Sequence, residues 1–256
     1  LLLFSARGQV YGLPVHRIGT VAKRSDKGAA AGALVDLAVG DHIVAAVAVS
    51  DTPPPFLVFA TKGGQVKRAA TGEYTGARGA GIAALRLDEG DELVAVDTSD
   101  GESDVLLSTR QGKAIRFKED EVRPTGRVAG AMRGIKLDDG DEALGGPLVV
   151  TPRLPLVATF SDTGYARRTP LDDYPVQGRG GGGVKAMPLG GKGGKSVNAV
   201  LFVTKGGDFE CTVDAGTGPK VAVVDGADIP VADRAKIGVQ VTEPILAVCP
   251  SLGSVR

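Results

Sequence analysis

A chain of 256 residues with 43% apolar side chains can fill one large core or two small ones, and 4% aromatics with no Trp leave that filling to Val, Leu, Ile and Ala. Thirty Lys and Arg against thirty Asp and Glu exclude a uniformly basic nucleic-acid binder. Cys211 and Cys249 lie far apart without CxxC spacing, which excludes a zinc ribbon or a disulfide framework and suits a reducing cytoplasm; no apolar run approaches the roughly 20 residues of a membrane span.

In chain order, the first run is Leu1-Leu2-Leu3-Phe4, with no Met and no basic stretch before it, so it reads as a cut through a strand and not as a signal peptide. It opens a pattern that recurs: an apolar run, a polar turn closing on Gly, and a second strand-like run. The copies start at Leu1, Phe56, Val105, Leu156 and Val200, with turn glycines Gly8, Gly64, Gly112, Gly164 and Gly207, separated by 56, 48, 52 and 43 residues. Each copy predicts a β-hairpin, because Gly supplies the positive φ that tight hairpin turns need. A second signature, Gly40-Asp41-His42, Gly90-Asp91-Glu92 and Gly140-Asp141-Glu142, leads into a further strand, and Gly-rich segments lie between the two signatures. Each repeat therefore holds about four short strands. The expected architecture is a single all-β, propeller-like domain of about five visible four-stranded blades, at about 1–50, 56–98, 104–148, 156–199 and 200–249. Helical periodicity is nearly absent; residues 118–122 allow one turn at most.

The fourth repeat carries the densest signal, Tyr174-Pro175-Val176-Gln177-Gly178-Arg179-Gly180-Gly181-Gly182-Gly183-Val184. Glycines let backbone amides approach a bulky anion, and an arginine among them can fork onto phosphate; the plainer reading is a flexible linker. Charge is also segregated. Residues 153–207 hold eight Lys or Arg against three Asp, residues 208–256 four bases against seven acids, and the first thirty residues five bases against one acid. The position three or four residues after the turn Gly holds Lys67, Arg68, Arg116, Arg167 and Arg168. In a radial array these predict a curved basic track, with Lys185 beyond the Gly-rich run and the Gly-Asp-Glu acids on other edges.

The blade pattern, the Gly-Asp-Glu turns and above all the run from Pro170 to Gly183 resemble the C-terminal β-pinwheel domain of the DNA gyrase A protein and its topoisomerase IV relative. The run is similar to the gyrase box, usually Q-R-R-G-G-R/K-G: Gln177, Arg179, Gly180, Gly181 and Gly183 match, while Gly178 and Gly182 replace basic residues. The resemblance is clearest from Leu1 to about Phe209. In the family the defining box lies in the first blade, whereas this copy is in the fourth visible repeat, so the chain looks like a truncated six-bladed domain that wraps DNA less completely.

The resemblance implies a non-catalytic module with no cofactor and no metal, binding and bending double-stranded DNA through Gln177, Arg179, Gly180, Gly181, Gly183, Lys185 and the hairpin bases. Its implied partners are the ATPase B subunit of a cytoplasmic type IIA topoisomerase and the rest of the gyrase A protein. With no base-reading helix, binding should tolerate sequence and depend steeply on salt. The alternative is a protein-interaction propeller, which has no need of repeated bases and calls for an exposed apolar patch. Other motifs fail: Gly178-x-Gly180-x-x-Gly183 has no following helix, Gly194-Lys195-Ser196 lacks the upstream Gly of a P-loop, and His16 and His42 have no catalytic partner pattern.

Overall fold

A computed structural model describes residues 1–20, 28–151, 153–203, 208–216 and 218–250. The first repeat gives β1 (Leu2–Ser5), β2 (Gln9–Gly12) and β3 (Ile43–Val47). The second gives β4 (Phe56–Thr61), β5 (Gln65–Ala70), β6 (Ile82–Ala83) and β7 (Leu93–Ser99). The third gives β8 (Asp104–Ser108), β9 (Lys113–Lys118), β10 (Met132–Arg133) and β11 (Val149–Val150). The fourth gives β12 (Leu156–Ser161), β13 (Tyr165–Pro170), β14 (Val184–Lys185) and β15 (Val197–Val203). The fifth gives β16 (Phe209–Asp214), β17 (Pro219–Val224), β18 (Val239–Gln240) and β19 (Ile245–Pro250). Helix among the described residues is confined to three-residue 3-10 turns, one of them Glu119–Glu121 inside the segment expected to hold a single turn.

The fold is all-β and propeller-like: four antiparallel sheets of four strands and, among the described residues, a fifth of three. The first four hairpins close on the expected glycines; Gly64, for example, has φ 77°, where a side chain would be strained, and a Cβ there would also stand 3.0 Å from Ile135.

Two features differ from the sequence reading. The first is strand exchange. Each four-stranded sheet takes three strands from its own repeat and its fourth from the next, so β6 pairs with β2, β10 with β5, β14 with β9 and β18 with β13. The second is the last hairpin. Val200 to Val203 lie in β15, which pairs with β12 in the fourth sheet, and the hairpin partner of β16 is β17. The boundary drawn between 199 and 200 therefore falls after Val203. The assigned turn at Gly207 lies outside the described residues.

The central strands read as unbroken apolar runs because both of their faces are covered. Along β4, Leu57 and Phe59 join Leu2, Phe4 and Val10 in one core, while Val58 and Ala60 join Val105, Ile115 and Phe117 in the next. The same split recurs between the third and fourth sheets around Leu106, Val157 and Phe202, and between the fourth and fifth around Ala158, Phe160 and Phe209. Scarce aromatics are concentrated here: Phe4 and Phe59 meet edge to face at 5.6 Å.

Candidate nucleic-acid interface

The hairpin bases do not form a solvent-facing track. Lys67 is 1% exposed, and its ammonium donates to the carbonyls of Gly126, Arg127 and Ala129 at 2.8, 2.6 and 2.9 Å. Burial pushes this lysine down to about 8, with Glu73 acting against that shift and Arg127 adding to it. Arg68 is buried on Glu119 at 3.3 Å and stacks over Phe56 at 4.9 Å. Arg116 pairs with Asp104 at 2.8 Å and donates to the carbonyls of Leu171 and Tyr174. Arg167, 0% exposed, donates to Thr169 Oγ1 and to the Lys236 carbonyl, and burial lowers its pKa, with Tyr174 acting against that. Arg168 donates to the Ile229 carbonyl at 2.8 Å.

Lys67, Arg116, Arg167 and Arg168 thus hold a loop of the repeat that follows. Loops laid across a sheet expose carbonyls that need donors, and a long cationic side chain from the sheet beneath supplies several at once. Recurrence at one blade position, read from the sequence as a DNA-facing rim, has this structural cause. In the fifth sheet β17 carries Ala222 and Val223 at the register of Lys67 and Arg68.

The Gly-rich loop packs on its neighbours as well. Gln177 N donates to the Arg116 carbonyl at 2.8 Å and Gly180 N to the Gly134 carbonyl at 2.7 Å, while the Gly181 carbonyl accepts from Lys136 N at 2.8 Å. Gly183, with φ 68°, passes so close to the third sheet that a Cβ would stand 2.4 Å from the Ala114 carbonyl. Gly178 and Gly182, by contrast, are exposed with nothing within 4 Å of a Cβ. Arg179 is half-buried: its N donates to Glu121 Oε2 at 2.8 Å, its Nε to the Glu121 carbonyl at 3.2 Å, and its Nη1 to the Arg133 carbonyl.

The exchanged strands carry bases that do face solvent. Lys185, already a candidate, is exposed at the second position of β14, and Arg133 is exposed at the second position of β10. Arg133 lines a polar cleft of about 530 Å³ with Arg86, Lys136, Gln65 and Asp88. Arg86 and Lys136 are exposed too, and none of the four forms an ion pair among the described residues. Sequence reasoning missed Arg86, Arg133 and Lys136. For Arg133 the signal was the alternation after the Gly-rich segment, where Met132 is followed by a residue on the opposite face; Arg86 and Lys136 lie beyond the exchanged strands and carry no such signal.

The acids of the Gly-Asp-Glu turns gather at the hairpin tips, in a cleft that shares Gly63, Gln65 and Asp88 with the basic one. Asp91 and Asp141 accept from the amides of Gly63 and Gln111 at 2.7 and 2.9 Å, tying each Gly-Asp-Glu turn to the tip of a hairpin. Lys62 bridges Glu92 and Glu142 at 3.5 and 3.3 Å. Burial opposes ionisation of Glu142, but Arg110 and Lys62 hold its carboxyl below the ordinary range. Among the described residues no cluster of His, Cys, Asp and Glu is arranged to hold a metal. His16 and His42 are exposed, and among the described residues no helix is long and apolar enough to cross a membrane.

Compared with known proteins, the chain matches the family described as "DNA gyrase C-terminal domain, beta-propeller" over residues 55–100, 103–145 and 156–201. It is 35% identical over 191 residues to the DNA gyrase A protein of Staphylococcus aureus strain MRSA252, and equally to that of strain N315, covering 74% of this chain and 21% of the relative. The chain thus spans about a fifth of the curated relatives it matches. Among solved structures, the C-terminal domain of DNA topoisomerase IV superposes with a TM-score of 0.85 at 20% identity, over 97% of this chain and 78% of the other. The DNA gyrase A C-terminal domain gives 0.79 at 18%, over 97% and 81%, and the E. coli ParC C-terminal domain 0.66 at 15%, over 98% and 97%. These structural likenesses speak to the fold.

Proposed function

We propose, from the premise that the chain belongs to the DNA gyrase C-terminal domain family, that it is a non-catalytic DNA-binding and DNA-wrapping module of a type IIA topoisomerase, in the gyrase A protein. The duplex would bend along the outer edges of the exchanged strands. The observation that carries this reading is the exposure of Arg133 and Lys185 at the same register of consecutive exchanged strands, with Arg86 and Lys136 beside Arg133. Bases repeated at one register present charge at the spacing of the blades, which suits a sequence-independent phosphate backbone followed around a curve. The box loop lies beside this edge, since Arg179 and Gly180 bond the carbonyls of Arg133 and Gly134. Work in the cytoplasm with the remainder of the gyrase A protein, and with the ATPase B subunit, completes the proposal.

The test is binding of the chain to a linear duplex of about 40 base pairs across a salt series. Each phosphate neutralised contributes about 0.9 to the slope of log affinity on log salt, so replacing Arg86, Arg133, Lys136 and Lys185 together by Ser should flatten it by about 3 to 4. An unchanged slope, or no binding by the unaltered chain at low salt, overturns the proposal. The protein-interaction alternative would then stand.

A further inference from the structure

Arg179 is one of a series. Counting back five residues from the first residue of each exchanged strand β10, β14 and β18 gives Arg127, Arg179 and Arg234. Each donates its Nη1 to the carbonyl of the second residue of the preceding exchanged strand: Arg127 to Ala83 at 2.6 Å, Arg179 to Arg133, and Arg234 to Lys185 at 2.8 Å. The arginine in the loop of one repeat therefore grips the exchanged strand contributed by the repeat before. For Arg179 and Arg234 the gripped residue is an exposed base.

This grip matters because the exchanged strand is so short. β10 has two residues in register, Met132 opposite Val66 and Arg133 opposite Gln65, well below the length of an ordinary strand. The loop of the next repeat adds three bonds to this stretch, from Arg179 Nη1 to the Arg133 carbonyl, from Gly180 N to the Gly134 carbonyl and from Lys136 N to the Gly181 carbonyl. With its Nε and backbone N on Glu121, Arg179 has three of its donors committed inside the protein.

Resting on the proposed function, we infer that Arg179 is a positioning residue: it fixes the backbone from which Arg133 reaches phosphate and does not itself carry the contact. The same geometry gives Arg234 this role toward Lys185.

Coupling separates positioning from contact. Arg179→Ala, Arg133→Ala, Lys185→Ala and the doubles Arg179→Ala/Arg133→Ala and Arg179→Ala/Lys185→Ala are titrated against the same duplex across salt. Each single change should lower affinity about tenfold and the salt slope by about 1. The Arg179/Arg133 double should fall no further than either single, while the Arg179/Lys185 double should multiply to about a hundredfold. Amide exchange at residues 64–66 and 132–135 should quicken in Arg179→Ala and stay unchanged in Arg133→Ala. A multiplying Arg179/Arg133 double makes Arg179 a direct contact and overturns the inference. So does an Arg179→Ala effect that vanishes equally in the Lys185→Ala background, which marks a general loss of structure. Failure of the unaltered chain to bind duplex is seen before any variant is made, and removes the DNA reading together with this role.

Discussion

Lys67→Met separates a base that holds the fold from a base that holds DNA. Methionine keeps most of the length and the apolar stem but removes three donors, so the carbonyls of Gly126, Arg127 and Ala129 lose their cationic partner. Three charge-assisted bonds at about 1.5–3 kcal/mol each sum to about 5–9 kcal/mol. Against this, the burial that moves the lysine from 10.5 to about 8 is worth about 3 kcal/mol at about 1.4 kcal/mol per pH unit, and is relieved by the substitution. A net loss of about 2–6 kcal/mol remains, to be read by urea unfolding at pH 7 with the duplex salt slope measured on the same preparation. The slope should be unchanged within about 0.3, because a side chain 1% exposed reaches no phosphate. A stability loss below about 1 kcal/mol, or a slope that falls by about 1, would refute the loop-holding role and return Lys67 to the DNA path.

Other outcomes follow from the same geometry. Between about pH 8 and 10 the unfolded chain keeps the Lys67 proton that the folded chain has released, so unfolding free energy should rise by about 2–3 kcal/mol in the parent relative to Lys67→Met. Above the ordinary tyrosine value of 10.0 the stability of parent and variant alike should bend down: burial, with Glu73 adding, raises the Tyr74 phenol, and the unfolded chain ionises first. Denaturant titrations at each pH would show both limbs, and a flat difference between parent and variant excludes the Lys67 assignment. Gly183→Ala should cost more than about 2 kcal/mol, because its Cβ meets the Ala114 carbonyl at 2.4 Å at φ 68°, whereas Gly182→Ala, in open space, should be neutral or slightly stabilising by chemical denaturation. Glu119→Gln leaves Arg68 buried without its counter-charge and should lower stability by about 3–5 kcal/mol, with much of it regained in Arg68→Met/Glu119→Leu; an equally unstable double would place the cost in packing.

The hairpins were legible because their causes are local. A turn glycine at positive φ and an apolar run before it need only a dozen residues of context, and Gly8, Gly64, Gly112 and Gly164 all stand at such turns. The exchanged strands were not legible, because two residues such as Met132 and Arg133 carry no periodicity and their partner, β5, belongs to the repeat before. The last hairpin misled for a related reason: Val200-Leu201-Phe202-Val203 is as apolar as any first strand, yet β15 closes the fourth sheet, and an apolar run alone does not tell an opening strand from a closing one. The bases were visible as a pattern but not as a direction. Lys67 and Arg133 are both cations beside Gly-rich segments, and which one is buried depends on a loop some sixty residues away in one case and on a sheet edge in the other.

That division of the bases also accounts for the zero net charge of a chain proposed to wrap DNA. Cations at Lys67, Arg68, Arg116, Arg167 and Arg168 are spent on carbonyls, hydroxyls and carboxylates inside the wheel, and the aspartates of the Gly-Asp-Glu turns are engaged in holding hairpin tips, so net charge says little about the outer surface. Each interface between successive sheets combines a shared core and an exchanged strand and, from the second sheet on, a loop held from below by hairpin bases and a loop arginine gripping backward. Repeat arrays held by neighbour contacts alone fray from their ends. Here the second repeat supplies the loop-holding Lys67, the third supplies Arg133, and the fourth supplies the arginine that grips it. The position of a surface base in one blade is consequently a property of three consecutive repeats, and excising one of them should displace bases on its neighbours as well as remove its own.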